Sequence, residues 1–243
     1  MEGHIYSNWL KPTGITNNLQ PTTYNFPVLN LIVSGGHTEL VLMRDHGTYE
    51  IIGETQDDAV GEAFDKVARL LELGYPGGPI ISKIAEQGDP TRYPLPSPMA
   101  KSKDFNFSYS GLKTAVLYLL RDLEKNVDEK NKADIAASFQ EAATKVLIQK
   151  TIAAARKYEV KSIFLSGGVS ANNLLRLKLE TAAKKIGVKY SQPAFEYTGD
   201  NAAMIALAGW FQYVKNPPSL KLRRAGIDNF TWSSVQMDAN ISF

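Results

Sequence analysis

The sequence predicts a mixed α/β lobe whose sheet starts antiparallel and continues by strand and helix alternation. Three observations predict it. Three apolar runs follow one another between Val28 and Ile52, separated only by short turns. A second block alternates: helical spacing at Ile135, Phe139, Ala142 and Val146, a short apolar run at Ser162-Ile163-Phe164-Leu165, then helical spacing again from Leu174. Finally, two of the apolar runs end in a Gly-Gly turn, Ser34-Gly35-Gly36-His37-Thr38 and Ser166-Gly167-Gly168-Val169-Ser170.

Met1 to Pro27 carries a weak helical pattern (Ile5, Trp9, Leu10) and then a Pro/Asn/Thr-rich stretch that reads as loop or linker. The strands are expected at Val28-Leu29-Asn30-Leu31-Ile32-Val33, at Leu40 to Met43 and at Thr48 to Ile52, with a turn at Asp45-His46-Gly47. Ala59, Phe64, Val67, Ala68, Leu70 and Leu71 then recur at helical spacing up to Gly74. Tyr75-Pro76-Gly77-Gly78-Pro79 breaks that helix, and another is expected from Ile80 to Gln87. Gly88 to Ser102 is proline-rich and irregular; Phe105 to Thr114 leads into a helix ending near Leu123. The charged segment Arg121 to Asp134 reads as a solvated connection to a long amphipathic helix over Ile135 to Tyr158. After the second Gly-Gly turn come a helix to Ile186, a strand near Val188 to Tyr190 and a last helix from Asn201 to Tyr213. The expected domain plan is a remnant of a preceding lobe plus linker (1–27), a lobe (28–215) and a tail (216–243).

Composition bounds the function. A chain of 243 residues, 44% hydrophobic and 21% charged, buries a sizeable core as one large domain or two small ones. A net charge of +2 is too mild to argue nucleic-acid binding. The absence of cysteine excludes disulfides, thiolate catalysis and Cys-ligated zinc. No apolar run approaches a membrane span, and Met1-Glu2-Gly3-His4 lacks a signal-peptide pattern, so a cytoplasmic protein with no membrane partner is expected.

Each Gly-Gly turn admits two readings. The first, alone, is a plain hairpin; equally, adjacent glycines let successive N–H groups converge on an anion such as phosphate. The second is followed by a helix start, the arrangement in which backbone amides and a helix N-terminus face a ligand together. As a pair they suggest one cleft lined from two sides. The element order is that of the ribonuclease-H-like lobe, with a helical insertion, of the actin-like ATPase (sugar kinase/Hsp70/actin) superfold.

Several motifs stand together in order. They are Leu31 to Leu40, Asp57-Asp58-Ala59 through Gly61-Glu62-Ala63-Phe64-Asp65-Lys66, Tyr75 to Pro79, Phe107 to Thr114, Ser166 to Arg176, and Thr198-Gly199-Asp200-Asn201-Ala202-Ala203-Met204. Jointly they resemble the tRNA threonylcarbamoyladenosine transferase family (TsaD), once labelled O-sialoglycoprotein endopeptidases or glycoproteases. The match runs from His4 to about Val214.

The resemblance implies transfer of the threonylcarbamoyl group from threonylcarbamoyl-AMP to the exocyclic amine of the adenosine 3′ of the anticodon, in tRNAs reading codons that begin with A. It implies an adenylate or ATP-type ligand on Ile32, Val33, Ser34, Gly35, Gly36, Asp65, Gly78 and Asn172; where some relatives carry an acid, this chain has Ser82. It also implies one divalent metal, iron or possibly zinc, on two histidines four apart plus an aspartate: His4 matches the second histidine and Asp200 the aspartate, while the first would fall one residue before Met1. The lobe that precedes this helix in the family is lacking, so the chain is expected to be a fragment. Implied partners are tRNA, a paralogous pseudo-enzyme subunit and a small P-loop ATPase.

Blander readings stand beside these. His4 alone is a surface histidine, His37 a turn residue, Asp65 a solvated helix carboxylate, Asp200 with Asn201 an N-cap, and Ser108 and Ser110 capping groups. Two other functions fit the superfold: a non-catalytic nucleotide-binding scaffold, and a small-molecule kinase, against which Ser34 stands where an acid is wanted. A metallopeptidase would need a His-Glu-x-x-His motif, and none is present.

Overall fold

The computed structural model describes residues 1–11, 24–100, 102–123 and 127–215. The expected tail from Asn216 and most of the Pro/Asn/Thr-rich linker lie outside the described residues.

Five strands form one sheet in the order β3-β2-β1-β4-β5. They are β1 (Val28–Val33), β2 (Thr38–Asp45), β3 (Thr48–Glu54), β4 (Ser162–Ser166) and β5 (Lys189–Ser191). β1 pairs antiparallel with β2, and β2 with β3, whereas β4 runs parallel to β1 and to β5. Every residue of β1 is buried because both faces of the sheet are covered, which is why its sequence is a nearly continuous apolar run rather than an alternating one, interrupted by Asn30, whose amide donates to the Val41 carbonyl at 3.3 Å.

On one face Leu29, Leu31, Val33, Leu40 and Leu42 join the main core with α2 (Val60–Leu70), α3 (Gly77–Ala85), α4 (Ser110–Asp122), α5 (Glu129–Lys157) and α6 (Asn173–Lys185). On the other, Val28, Ile32, Val41 and Met43 meet α1 (Glu2–Tyr6) and α7 (Ala202–Lys215) through Ile5, Tyr6 and Ala208. Phe64 and Phe139 are core residues, packed edge to face with ring centroids 4.9 Å apart.

Three helix boundaries differ from expectation, each for a local reason. α2 stops at Leu70 rather than Gly74, because Glu72 turns left-handed at φ 58° and the Leu73 N–H reaches back to the Ala68 carbonyl at 2.9 Å. α3 begins at Gly77, since its first N–H groups have no intrahelical partner and Pro79 is tolerated in the first turn. The segment expected to be a solvated connection contains the start of α5: Asp128 caps it by accepting from the Asn131 N–H at 2.7 Å, and Asp134 is buried, accepting from the Asp89 N–H at 2.7 Å.

Ser108 and Ser110 are not themselves the cap of α4. Phe107 pairs alongside Thr55, and this brings the start of α4 against Asp57, whose carboxylate accepts both serine hydroxyls at 2.6 Å and the Tyr109 and Ser110 N–H groups at 2.7 and 3.2 Å. Burial alone would raise the Asp57 pKa, but these four hydrogen bonds outweigh it and hold the group below the usual carboxylate range. Asp57→Ala is therefore expected to cost about 1–2 kcal/mol in urea unfolding. Because the folded-state pKa is depressed, that contribution is present above the unfolded value of about 3.9 and is lost as pH falls through the folded one, so wild type and variant converge in acid.

Candidate functional site

Parallel pairing of Leu31 with Leu165 and Ile32 with Ser166 makes both Gly-Gly turns leave the sheet side by side, at the C-terminal ends of adjacent strands. That is where open α/β sheets place ligands. The first turn is held by its own groups: the Ser34 hydroxyl accepts from the Gly36 and His37 N–H groups at 3.3 and 3.0 Å, and the Ser34 N–H donates to the His37 carbonyl at 2.8 Å. The same turn receives the start of α2, with the Val60 N–H on the Thr38 hydroxyl at 2.8 Å and the Gly61 N–H on the Ser34 carbonyl at 3.1 Å. A Cβ on Gly61 would lie 2.5 Å from that carbonyl oxygen, so glycine is what lets the helix dock there.

A cavity of about 650 Å³ opens beside the turns, lined among others by Gly35, Asp65, Gly78, Ser82, Gln140 and Asn172. A Cβ added to Gly35, Gly36, Gly78 or Gly168 would meet nothing within 4 Å, so these backbones face open space. Of the remaining expected ligand residues, Ile32 and Val33 are fully buried in β1 on opposite faces of the sheet and reach the turn only through the backbone. Asp65 is not simply solvated: it accepts from the Gly77 N–H at 2.7 Å, docking the first turn of α3, and lines the cavity. Asn172 is heavily engaged. Its carbonyl oxygen caps α6 at the Leu175 N–H (2.9 Å) while its amide donates to the Ser82 hydroxyl (2.9 Å) and the Gln140 side-chain oxygen (2.7 Å).

Gln140 and Ser82 thus belong to the cavity wall. Ser82 stands where the family pattern allows an acid, whereas Gln140 falls in none of the sequence motifs. The one sequence signal for Gln140 is a polar residue inside the apolar stripe of α5, where it is 7% exposed.

On the other side of the sheet, α1 and α7 bring His4 and Asp200 together, with Nε2 3.1 Å from the Asp200 carboxylate. Asp200 is not the N-cap of α7: Asn201 takes that part, accepting from the Met204 N–H at 2.9 Å, and leaves Asp200 93% exposed. Burial pushes the His4 imidazole below its ordinary pKa against the opposing pull of Asp200, so the ring favours the neutral form that ligates metals. Two donors each about 2.0–2.2 Å from one ion stand roughly 3–3.5 Å apart, so the pair fits a divalent metal. Among the described residues no group of three or more His, Cys, Asp or Glu converges, so these two are what this part of the chain would supply.

Sheet order, turns and cleft define a lobe of the actin-like α/β class. A solved full-length HypF in a phosphate- and nucleotide-bound form has the same fold, with a TM-score of 0.63 over 88% of this chain and 35% of its own at 13% identity. Within that class, residues 1–207 match the family model of TsaD, tRNA N6-adenosine threonylcarbamoyltransferase, and the chain belongs to that family. Curated relatives of that name are 47% identical over 213 residues in Thermosipho africanus (strain TCF52B) and 46% over 214 in Desulfitobacterium hafniense (strain Y51). Each alignment covers 88% of this chain, which spans 60–61% of the length of those relatives.

Proposed function

We propose that the chain supplies the adenylate- and metal-holding lobe of an enzyme that moves a threonylcarbamoyl group from threonylcarbamoyl-AMP to the exocyclic amine of the adenosine 3′ of the anticodon in tRNA. The observation that supports this most is the convergence of the two turns, with their open glycines, beside one cavity in a chain of this family.

Acyl transfer here asks the amine nitrogen to bond to the carbamoyl carbon while the bond to the AMP phosphate oxygen breaks. The open backbones at Gly35, Gly36 and Gly168 give the adenylate phosphate room to approach main-chain N–H groups. Asp65, fixed by its bond to Gly77, turns its remaining acceptor capacity to the nucleoside hydroxyls. Asn172 acts by holding Ser82 and Gln140 in place on the cavity wall. A divalent ion, iron or zinc, held by His4 and Asp200 would supply Lewis acidity towards the donor's oxygens. A paralogous pseudo-enzyme subunit and a small P-loop ATPase are the partners this reading carries, in the cytoplasm. Among the described residues no helix is long and apolar enough to cross a membrane.

The test is incorporation of labelled threonine into unmodified tRNA by the intact protein with a threonylcarbamoyl-AMP synthase and those partners, alongside calorimetric titration of the chain with AMP. Transfer together with AMP binding is the expected result. AMP binding without transfer would favour the non-catalytic scaffold, and neither would overturn both readings.

A further inference from the structure

The sheet end opposite the two turns carries a feature the transfer reaction does not use. α5 leads into β4 and α6 connects β4 to the parallel β5, so both helices run antiparallel to these strands over the same face. Their C-terminal ends therefore meet where β4 and β5 begin. Arg156 and Lys157 close α5, Lys184 and Lys185 close α6, and Lys161 and Lys189 stand at the strand starts, joined by the Lys189 N–H on the Lys161 carbonyl at 3.3 Å. All six are exposed. The acids among them in sequence are Glu159 and Glu180, of which Glu180 pairs with Lys184 at 2.6 Å. No ion pair to Arg156, Lys161, Lys185 or Lys189 is found among the described residues.

Folding explains part of this. Cations in a last helical turn complement the macrodipole, which covers the four on α5 and α6, and a lysine on an edge strand discourages pairing with another chain, which covers Lys189. Neither explains the concentration, because like charges on neighbouring strands and adjoining helix ends repel one another. A polyanion with closely spaced charges removes that repulsion and releases its own counterions on binding.

We propose that this end of the lobe binds the phosphate backbone of a folded RNA, a proposal that rests on the acyl acceptor being a tRNA. The strand from Lys161 to Gly167 separates the patch from the second turn by about 20 Å at ~3.3 Å per residue. An RNA whose target base reaches the turns can lay an adjoining helical stem along that length.

The experiment is equilibrium binding of unmodified tRNA to the full chain across a salt series, comparing wild type with Lys161→Glu/Lys185→Glu/Lys189→Glu and with the corresponding triple glutamine variant. Thermal unfolding and AMP titration serve as controls for the fold and the cleft. The triple glutamate variant is expected to bind tRNA at least about tenfold more weakly and with a log–log salt slope smaller by about two to three, roughly one per lysine removed, with AMP affinity unchanged. The glutamine variant, which removes charge without reversing it, should show the same loss of slope if the glutamate variant folds poorly. Wild-type affinity and slope in both variants would overturn the patch and leave the tRNA reading standing. Failure of the wild type itself to bind tRNA would overturn that reading and the patch with it. Polyglutamate displacing tRNA as well as free tRNA does would overturn the RNA proposal in favour of an acidic protein surface.

Discussion

Gly167→Ala is expected to destabilise the fold by about 3 kcal/mol or more, lowering Tm by roughly 6–12 °C, while Gly168→Ala next to it leaves Tm nearly unchanged. Gly167 sits at φ 88°, ψ 169°, a conformation essentially reserved for glycine. Its Cβ would also lie 2.4 Å from the Val33 carbonyl oxygen at the end of the central strand, which is buried on both faces and cannot retreat. Strain and clash therefore add. A Cβ on Gly168 would meet nothing within 4 Å, and the residue borders the cavity, so an added methyl projects toward the proposed adenylate site rather than into protein. AMP titration should accordingly show Gly168→Ala binding more weakly with an unperturbed melt. Equal melting temperatures for the two variants would contradict the geometry of the second turn.

What the sequence reveals of this molecule follows from how local each cause is. β1 and β4 are legible because a strand covered on both faces is mostly apolar rather than alternating, and the Gly-Gly turns are legible because they end such runs. The start of α5 is hidden because its first turns pack through polar groups: buried Asp134 answers the Asp89 N–H, an arrangement with no apolar period to detect. The cap of α4 is hidden because the capping carboxylate, Asp57, arrives from a strand end some fifty positions away, and only the serines that bind it are adjacent in sequence. The same limit applies at the site. His4 and Asp200 stand at opposite ends of the described chain, and no spacing rule joins them; they come together because α1 and α7 pack on each other against the second face of the sheet. Only a family pattern places them in one set beforehand, and it is silent about Gln140, whose partner Asn172 lies on another helix start.

On the proposed function, Asp200→Ala is expected to weaken divalent-metal binding at least about a hundredfold and to abolish transfer by the intact protein while leaving Tm unchanged, since losing even an outer partner of a metal site costs tenfold to a hundredfold. The Asp200 side chain is 93% exposed and makes no cap, so the fold does not depend on it. Its neighbour gives the opposite pattern. Asn201→Ala removes the acceptor for the Met204 N–H and should cost about 1 kcal/mol, or roughly 2–4 °C, with metal affinity largely kept. A separate readout follows from His4 in metal-free protein. Burial lowers its pKa and Asp200 pulls it upward, so Asp200→Ala should shift the His4 titration, followed by NMR, further down. The neutral ring would then persist to lower pH, because a depressed folded-state pKa makes protonation cost stability as pH falls below the unfolded value of about 6.5. Full transfer activity and full metal affinity in Asp200→Ala would remove the metal from this pair of residues, and an unmoved His4 titration would remove the contact itself.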